Sequence, residues 1–164
     1  MTDTEKSFLD LAVVKQMKYA DIEKELGVDR KQVSKWWDDF KITREEISNI
    51  RKIWRKKFKD TDFWVFHKRF VEMERKCCYC GITEVEIKHL IEVNQINTKR
   101  LKNRGKKLEL ERKKPNESYD NIENLAYCCY WCNNAKTDEF SVEEFAAIGK
   151  EINKIWKKGL KNFN

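Results

Sequence analysis

The chain has 164 residues, room for one domain of usual size or for a small domain joined to a compact module, which excludes a large enzyme. Lys and Arg number 35 against 28 Asp and Glu, and the net charge of +7 points first to a polyanionic partner. Charged residues make up 38% of the chain, yet 12% are aromatic, six of them Trp, so a folded core is expected rather than a disordered tail.

No apolar run approaches the ~18 to 20 residues of a membrane span. The opening MTDTEKSFLD carries acids where a signal peptide has a basic stretch and an apolar block, so a cytoplasmic location is expected. The charge is unevenly placed: residues 1–40 carry a net −2, residues 41–76 a net +6 and residues 77–164 a net +3.

Taken in chain order, residues 19–37 read YADIEKELGVDRKQVSKWW. Ile22 and Leu26 fall on one side of a short helix, Gly27 supplies a turn, and Asp29 can cap a second helix carrying Val33 and Trp36 or Trp37. The pattern predicts a helix-turn-helix whose second helix exposes Arg30, Lys31, Gln32, Ser34 and Lys35 to DNA. The same pattern suits a helical hairpin used for packing or dimerisation, and Asp38 with Asp39 would repel phosphates.

Thr43 and Glu46 have capping-box spacing ahead of Ile47, Ile50, Trp54 and Phe58, which predicts a helix over 44–59. Arg51, Lys52, Arg55, Lys56, Lys57 and Lys59 make it basic; such a charge run is also what a solvated helix face looks like. Asp60 and Thr61 break it, and Phe63, Phe66, Phe70 and Met73 predict another helix, in which His67 serves packing or the surface. Strand-like runs follow at 108–112 and 124–128, with Pro115 and the loops 103–105 and 113–121 around them. Ser141 and Glu144 form a second capping box before Val142, Phe145, Ile148, Ile152 and Trp156, one face of a closing helix. There is no internal repeat.

Six cysteines fall in two clusters, Cys77, Cys78, Cys80 and Cys128, Cys129, Cys132. Read as Cys77-x2-Cys80 and Cys129-x2-Cys132, they offer four thiolates in two knuckles, which suits a tetrahedral Zn²⁺ in a reducing compartment. A closed four-thiolate site has no open position for water and is structural, so chemistry requires a second metal site.

The segment LELERKKPNESYDNIENLAYCCYWCNNAKTD, residues 108–138, resembles the HNH nucleases of the ββα-metal superfamily. The match lies in Glu111-Arg112, then Asn124-Leu125, then Cys129-Tyr-Trp-Cys132-Asn133 with Lys136 three further on. From Cys77 to about Trp156, roughly half of the chain, the sequence is similar to small zinc-containing HNH restriction endonucleases, and the helix-turn-helix candidate lies outside that similarity. The resemblance implies that Glu111 and Asn133 bind one catalytic Mg²⁺ or Mn²⁺, that Asn124 braces the motif, and that Lys136 contacts the scissile phosphate. Arg112 stands where most members have a histidine base; an arginine holds its proton at neutral pH, so it fits a phosphate clamp. His89 and Tyr119 are the nearest candidates for the general base.

The expected architecture is α+β: a helix-turn-helix part over 1–42, basic connecting helices over 43–76, and an HNH module with structural zinc over 77–164. The expected function is sequence-specific, metal-dependent hydrolysis of double-stranded DNA in a bacterial or phage-infected cell, by a homodimer if both strands are cut. Basic residues in 51–59 and 99–107 would supply sequence-independent grip. The alternatives are a zinc-containing DNA-binding regulator that does not cut and, because basic charge does not distinguish the polymers, an RNA-acting protein.

Overall fold

The computed structural model describes residues 1–97 and 104–161. Much of the predicted 99–107 grip segment, with Asn103 of the loop at 103–105, lies outside the described residues. The chain forms two compact units, Met1–Val71 and Glu72–Asn164.

The first unit is helical. Helix α1 (Asp3–Leu9) starts at a capping box, Thr2 Oγ1 accepting from Glu5 N at 3.3 Å and the Glu5 carboxylate accepting from Thr2 N at 2.7 Å. It runs into a wide turn over Asp10–Val14, where Lys15 N reaches Asp10 O at 2.9 Å. Arg51 closes that turn, donating through Nε to Val14 O at 2.7 Å and through Nη2 to Gln16 Oε1 at 3.0 Å. Helix α2 (Tyr19–Leu26) ends at Gly27, whose φ is +64°. Asp29 then caps α3 (Arg30–Asp39), its carboxylate accepting from Gln32 N at 2.7 Å.

Helix α4 (Lys41–Lys57) begins three residues ahead of the expected 44–59 span, and the Thr43–Glu46 capping box does not form. Phe40 ends α3 and opens α4 at once, Arg44 N bonding to Phe40 O at 2.8 Å, so Thr43 is already inside the helix when its hydroxyl would be needed. Helix α5 (Phe63–Glu72) follows the break at Asp60 and Thr61. The core is apolar and aromatic: Phe8, Leu9, Ile22, Val33, Trp36, Ile47 and Ile50 are buried, and Phe58 stacks on Phe66 at 4.7 Å.

The second unit supplies a small sheet. Helix α6 (Glu84–Glu92) carries a capping box at Thr83 and Glu86. Strands β1 (Glu109–Arg112) and β2 (Leu125–Cys128), each starting one residue later than the apolar runs suggested, pair antiparallel with Glu111 opposite Ala126 and Arg112 opposite Leu125. Helix α7 (Tyr130–Lys136) follows β2 directly, and α8 (Val142–Gly159) starts at the expected Ser141–Glu144 box. The inward face of α8 differs from expectation at one position: Ile148 is exposed and Gly149 is buried instead. A Cβ at Gly149 would lie 2.7 Å from Tyr79 O, so α8 presses its backbone onto the first cysteine cluster and a glycine is required at that contact. Among the described residues the chain is therefore mostly helical with one two-stranded antiparallel sheet, an α+β architecture as predicted. Among the described residues, no helix is long and apolar enough to cross a membrane.

Candidate active site and metal centre

Four cysteine sulfurs, those of Cys77, Cys80, Cys129 and Cys132, lie within 4.8 Å of one another, all buried. The first knuckle folds because Gly81, at φ +74°, turns the chain so that its N–H reaches Cys77 O at 2.8 Å while Cys77 N reaches Ile82 O at 2.9 Å. The second is the start of α7, where the Cys129 sulfur caps the helix by accepting from Cys132 N at 3.4 Å. Asn153 of α8 fastens the first knuckle by donating to Cys80 O at 2.6 Å. Tetrahedral zinc with Zn–S bonds near 2.3 Å places its sulfurs about 3.8 Å apart, and Cys80 and Cys129 stand at 3.7 Å. The donor set thus fits a closed metal site. Hydrogen bonds from the neighbouring thiols, Cys128 first, hold Cys77 far below the usual thiol range, while Cys129 and Cys132 are pushed up by the thiols around them. Of the two surplus cysteines, Cys78 is exposed and Cys128 is buried, its sulfur 3.8 Å from that of Cys77.

Next to this cluster, β1 turns two carboxylates toward α7. Glu109 and Glu111 share a face of the strand because side chains alternate, and Asn133 and Lys136 share a face of the helix because they are three apart. Glu109 accepts from Asn133 Nδ2 at 2.9 Å and is clasped by the Arg104 guanidinium at 2.8 and 2.5 Å. Burial raises its carboxyl, but Arg104 and Asn133 outweigh this and the net shift is downward. Glu111, 8% exposed, accepts from the Tyr79 hydroxyl at 3.3 Å and lies 3.5 Å from Lys136 Nζ. Its carboxyl is raised because burial outweighs the attraction of Lys136 and the Tyr79 hydrogen bond. Lys136, expected to reach a phosphate, is 0% exposed and aims at Glu111 instead: a long charged side chain on a seven-residue helix has been drawn inward by a buried carboxylate.

Glu111 and Asn133 therefore occupy one strand–helix pair but bond to different partners. Asn133 spends its amide N–H on Glu109, which leaves Oδ1 without a protein donor among the described residues, as is Glu111 Oε2. Oxygen atoms from a carboxylate and a carboxamide suit a hard divalent cation. Glu109, Arg104 and Tyr79 were not singled out in the sequence, although the alternation in Glu109-Leu110-Glu111 places Glu109 beside Glu111.

The loop between the strands is held by the residue that precedes β2. Asn124 Oδ1 accepts from Lys114 N at 2.8 Å and Asn124 Nδ2 donates to Lys114 O at 2.8 Å, so one buried side chain satisfies both backbone groups of Lys114. Arg112 donates to Glu117 O at 3.1 Å and its guanidinium lies 4.2 Å from the centre of the Tyr119 ring. His89 is half-buried on α6.

In the first unit, Arg30, Lys31, Ser34 and Lys35 are exposed on α3 and Gln32 is half-exposed, while Val33 and Trp36 are buried and Trp37 is half-buried. Arg30 is already engaged, lying 4.3 Å over the Tyr19 ring and 3.4 Å from Glu23.

Among solved structures, the chain is similar to an HNH restriction endonuclease, with 28% identity, 52% of this chain and 56% of that one covered, and a TM-score of 0.40. That enzyme is PacI, described as rare-cutting and as perturbing DNA. No protein-family model and no curated protein matches the chain.

Proposed function

We propose that this protein is a metal-dependent endonuclease that hydrolyses phosphodiester bonds of double-stranded DNA at specific sequences, in a restriction-like, homing or phage-type role. The observation that carries the reading is the strand–helix pair in which Glu111 faces a helix that starts at Cys129-x2-Cys132 and bears Asn133 and Lys136. Zn²⁺ on Cys77, Cys80, Cys129 and Cys132 staples this module. A Mg²⁺ or Mn²⁺ held by Glu111 and Asn133 would supply positive charge to the phosphorane and to the leaving oxygen. Glu109 orients Asn133 through its amide, and Lys136 acts on Glu111 rather than on a phosphate. Arg112 clamps a phosphate oxygen, and the proton of the attacking water passes to the imidazole of His89 or to the phenolate of an ionised Tyr119, which rests against Arg112. Asn124 holds the loop that presents Tyr119. Arg30, Lys31, Gln32, Ser34 and Lys35 contact DNA from α3, and a homodimer cuts both strands of a palindromic site.

A second reading, a DNA-binding regulator that does not cut, is favoured by Lys136, whose buried ammonium already neutralises Glu111. One experiment separates them. Pure protein is incubated with supercoiled, sequence-rich DNA and Mg²⁺ or Mn²⁺, or with chelator. Discrete metal-dependent bands, abolished in Glu111→Ala with zinc content unchanged, are the expected result. Intact DNA on several substrates, with fold and zinc confirmed, would overturn the nuclease reading in favour of the regulator.

A further inference from the structure

The α3–α4 face of the first unit carries a set of donors that the helix-turn-helix pattern does not include. On α4, Arg44, Ser48 and Lys52 follow one another at intervals of four and so share one face over about 12 Å of helix. They line a groove of about 350 Å³ together with Gln16, Trp37 and Asn49. Arg44 is set before any ligand arrives: its Cζ lies 3.5 Å over the Trp37 ring and its Nε donates to Trp37 O at 2.8 Å. Both Nη atoms are left without a protein partner among the described residues. Beyond Trp37 lies the tilted Tyr19 ring at 5.6 Å, and Arg30 lies 4.3 Å over Tyr19, so two guanidiniums bracket an aromatic pair across α2, α3 and α4. Arg30 and Trp37, seven apart, share the face of α3 that adjoins this groove.

We propose that this face is a phosphate-tracking surface, on which Arg44, Ser48 and Lys52 contact one strand of duplex DNA beside the groove entered by α3. The proposal rests on the reading of α2 and α3 as a DNA-contacting helix-turn-helix. The chemistry selects the ligand: a fixed guanidinium fork, a hydroxyl and an ammonium, spaced about 6 Å apart along the helix, suit a row of phosphate oxygens rather than a single anion. Stacking on Trp37 restricts Arg44 beforehand, which lowers the entropy lost on binding. Glu45, also on the rim, lies about 100° around the helix from Arg44 and leaves the donor row uninterrupted.

The test is duplex binding by the zinc-loaded full chain in buffer without Mg²⁺ or Mn²⁺, followed by fluorescence anisotropy across a range of salt. Lys52→Ala and Arg44→Gln are each expected to weaken binding to unrelated duplexes alike and to reduce the slope of log K against log salt by about 0.9. Unchanged affinity and slope in both variants, each folded by circular dichroism, would overturn the proposal. Should Arg44→Gln loosen the fold through the lost stack, Lys52→Ala, an exposed side chain, decides alone. A wild-type chain that forms no salt-dependent complex would instead overturn the helix-turn-helix reading beneath it.

Discussion

The two units hold themselves together by different means. The first is an assembly of helices around large apolar groups: Phe8 lies 5.5 Å from Trp36 and 6.5 Å from Phe40, with Leu9, Ile22, Val33 and Ile50 filling the space between helices. The second has a sheet of only two four-residue strands, and beside apolar groups such as Ile82, Ile87, Leu90, Leu125 and Phe145 it buries a polar cluster of four thiols, a carboxylate, an ammonium and a carboxamide. A two-stranded ribbon is marginal by itself in water. Such a unit gains from a staple, and a metal on the four cysteines would tie the first knuckle to the start of α7, beside the candidate site. One unit buries apolar groups at its centre, and the other adds to its apolar core a polar cluster and four thiols placed to hold a metal.

Metal removal should produce the largest contrast. A structural zinc site contributes an apparent ~10 to 16 kcal/mol, far above the usual stability of a small domain. Chelation, or Cys80→Ser, is expected to unfold the second unit while α1 to α5 keep their helicity and amide protection in hydrogen exchange. Cooperative loss of both units together would break the comparison. A core truncation tests it from the other side. Phe8→Ala, at a site with no exposed surface, is expected to cost about 3 to 5 kcal/mol by leaving a cavity among Trp36 and Phe40, with zinc content unchanged. Smaller again is Gly149→Ala. The added methyl meets Tyr79 O at 2.7 Å and must push α8 off the first knuckle, a strain of roughly 1 to 3 kcal/mol. Chelator should then extract zinc faster, and an unchanged rate would show that α8 does not brace the knuckle.

What could be read from the sequence follows the same division. Helix periodicity and the Ser141–Glu144 box placed α5 and α8, and cysteine spacing identified the four thiols, because both signals are local and repeat at a fixed interval. The Thr43–Glu46 box misled, since the same spacing occurs wherever Thr and Glu stand three apart, and only the junction at Phe40 shows that α4 has already begun. Ile148 and Gly149 exchanged roles because the closeness of α8 to Tyr79 is a tertiary fact. Charge misled most. Lys136 reads as surface by composition, and the carboxylate that draws it inward comes from a strand 25 residues earlier in the chain, so its burial has no local signal.

The smallest expected effect concerns pH and falls on the first unit. His67 on α5 sits among aromatic rings, 5.8 Å from Phe63 and 5.4 Å from Trp64, and burial lowers its basicity from the usual value despite the attraction of Glu46. With a depressed value in the folded chain, the unfolded chain binds the proton first as the pH falls. The stabilisation is therefore complete above pH 6.5 and is lost as the pH falls from there through the lower folded value. Because the ring is only half-buried, solvent screens the effect, and a small decline is expected. Denaturant midpoints of the first unit, followed between pH 7.5 and 5, should fall slightly in the wild type and stay flat in His67→Gln once zinc loss from the second unit has been subtracted by a parallel metal assay. A decline of equal size in both proteins would assign the pH sensitivity to carboxylates elsewhere and leave the aromatic unit with no titrating group in its packing, sharpening the contrast with the second unit, where burial and charge occur together at Glu111 and Lys136.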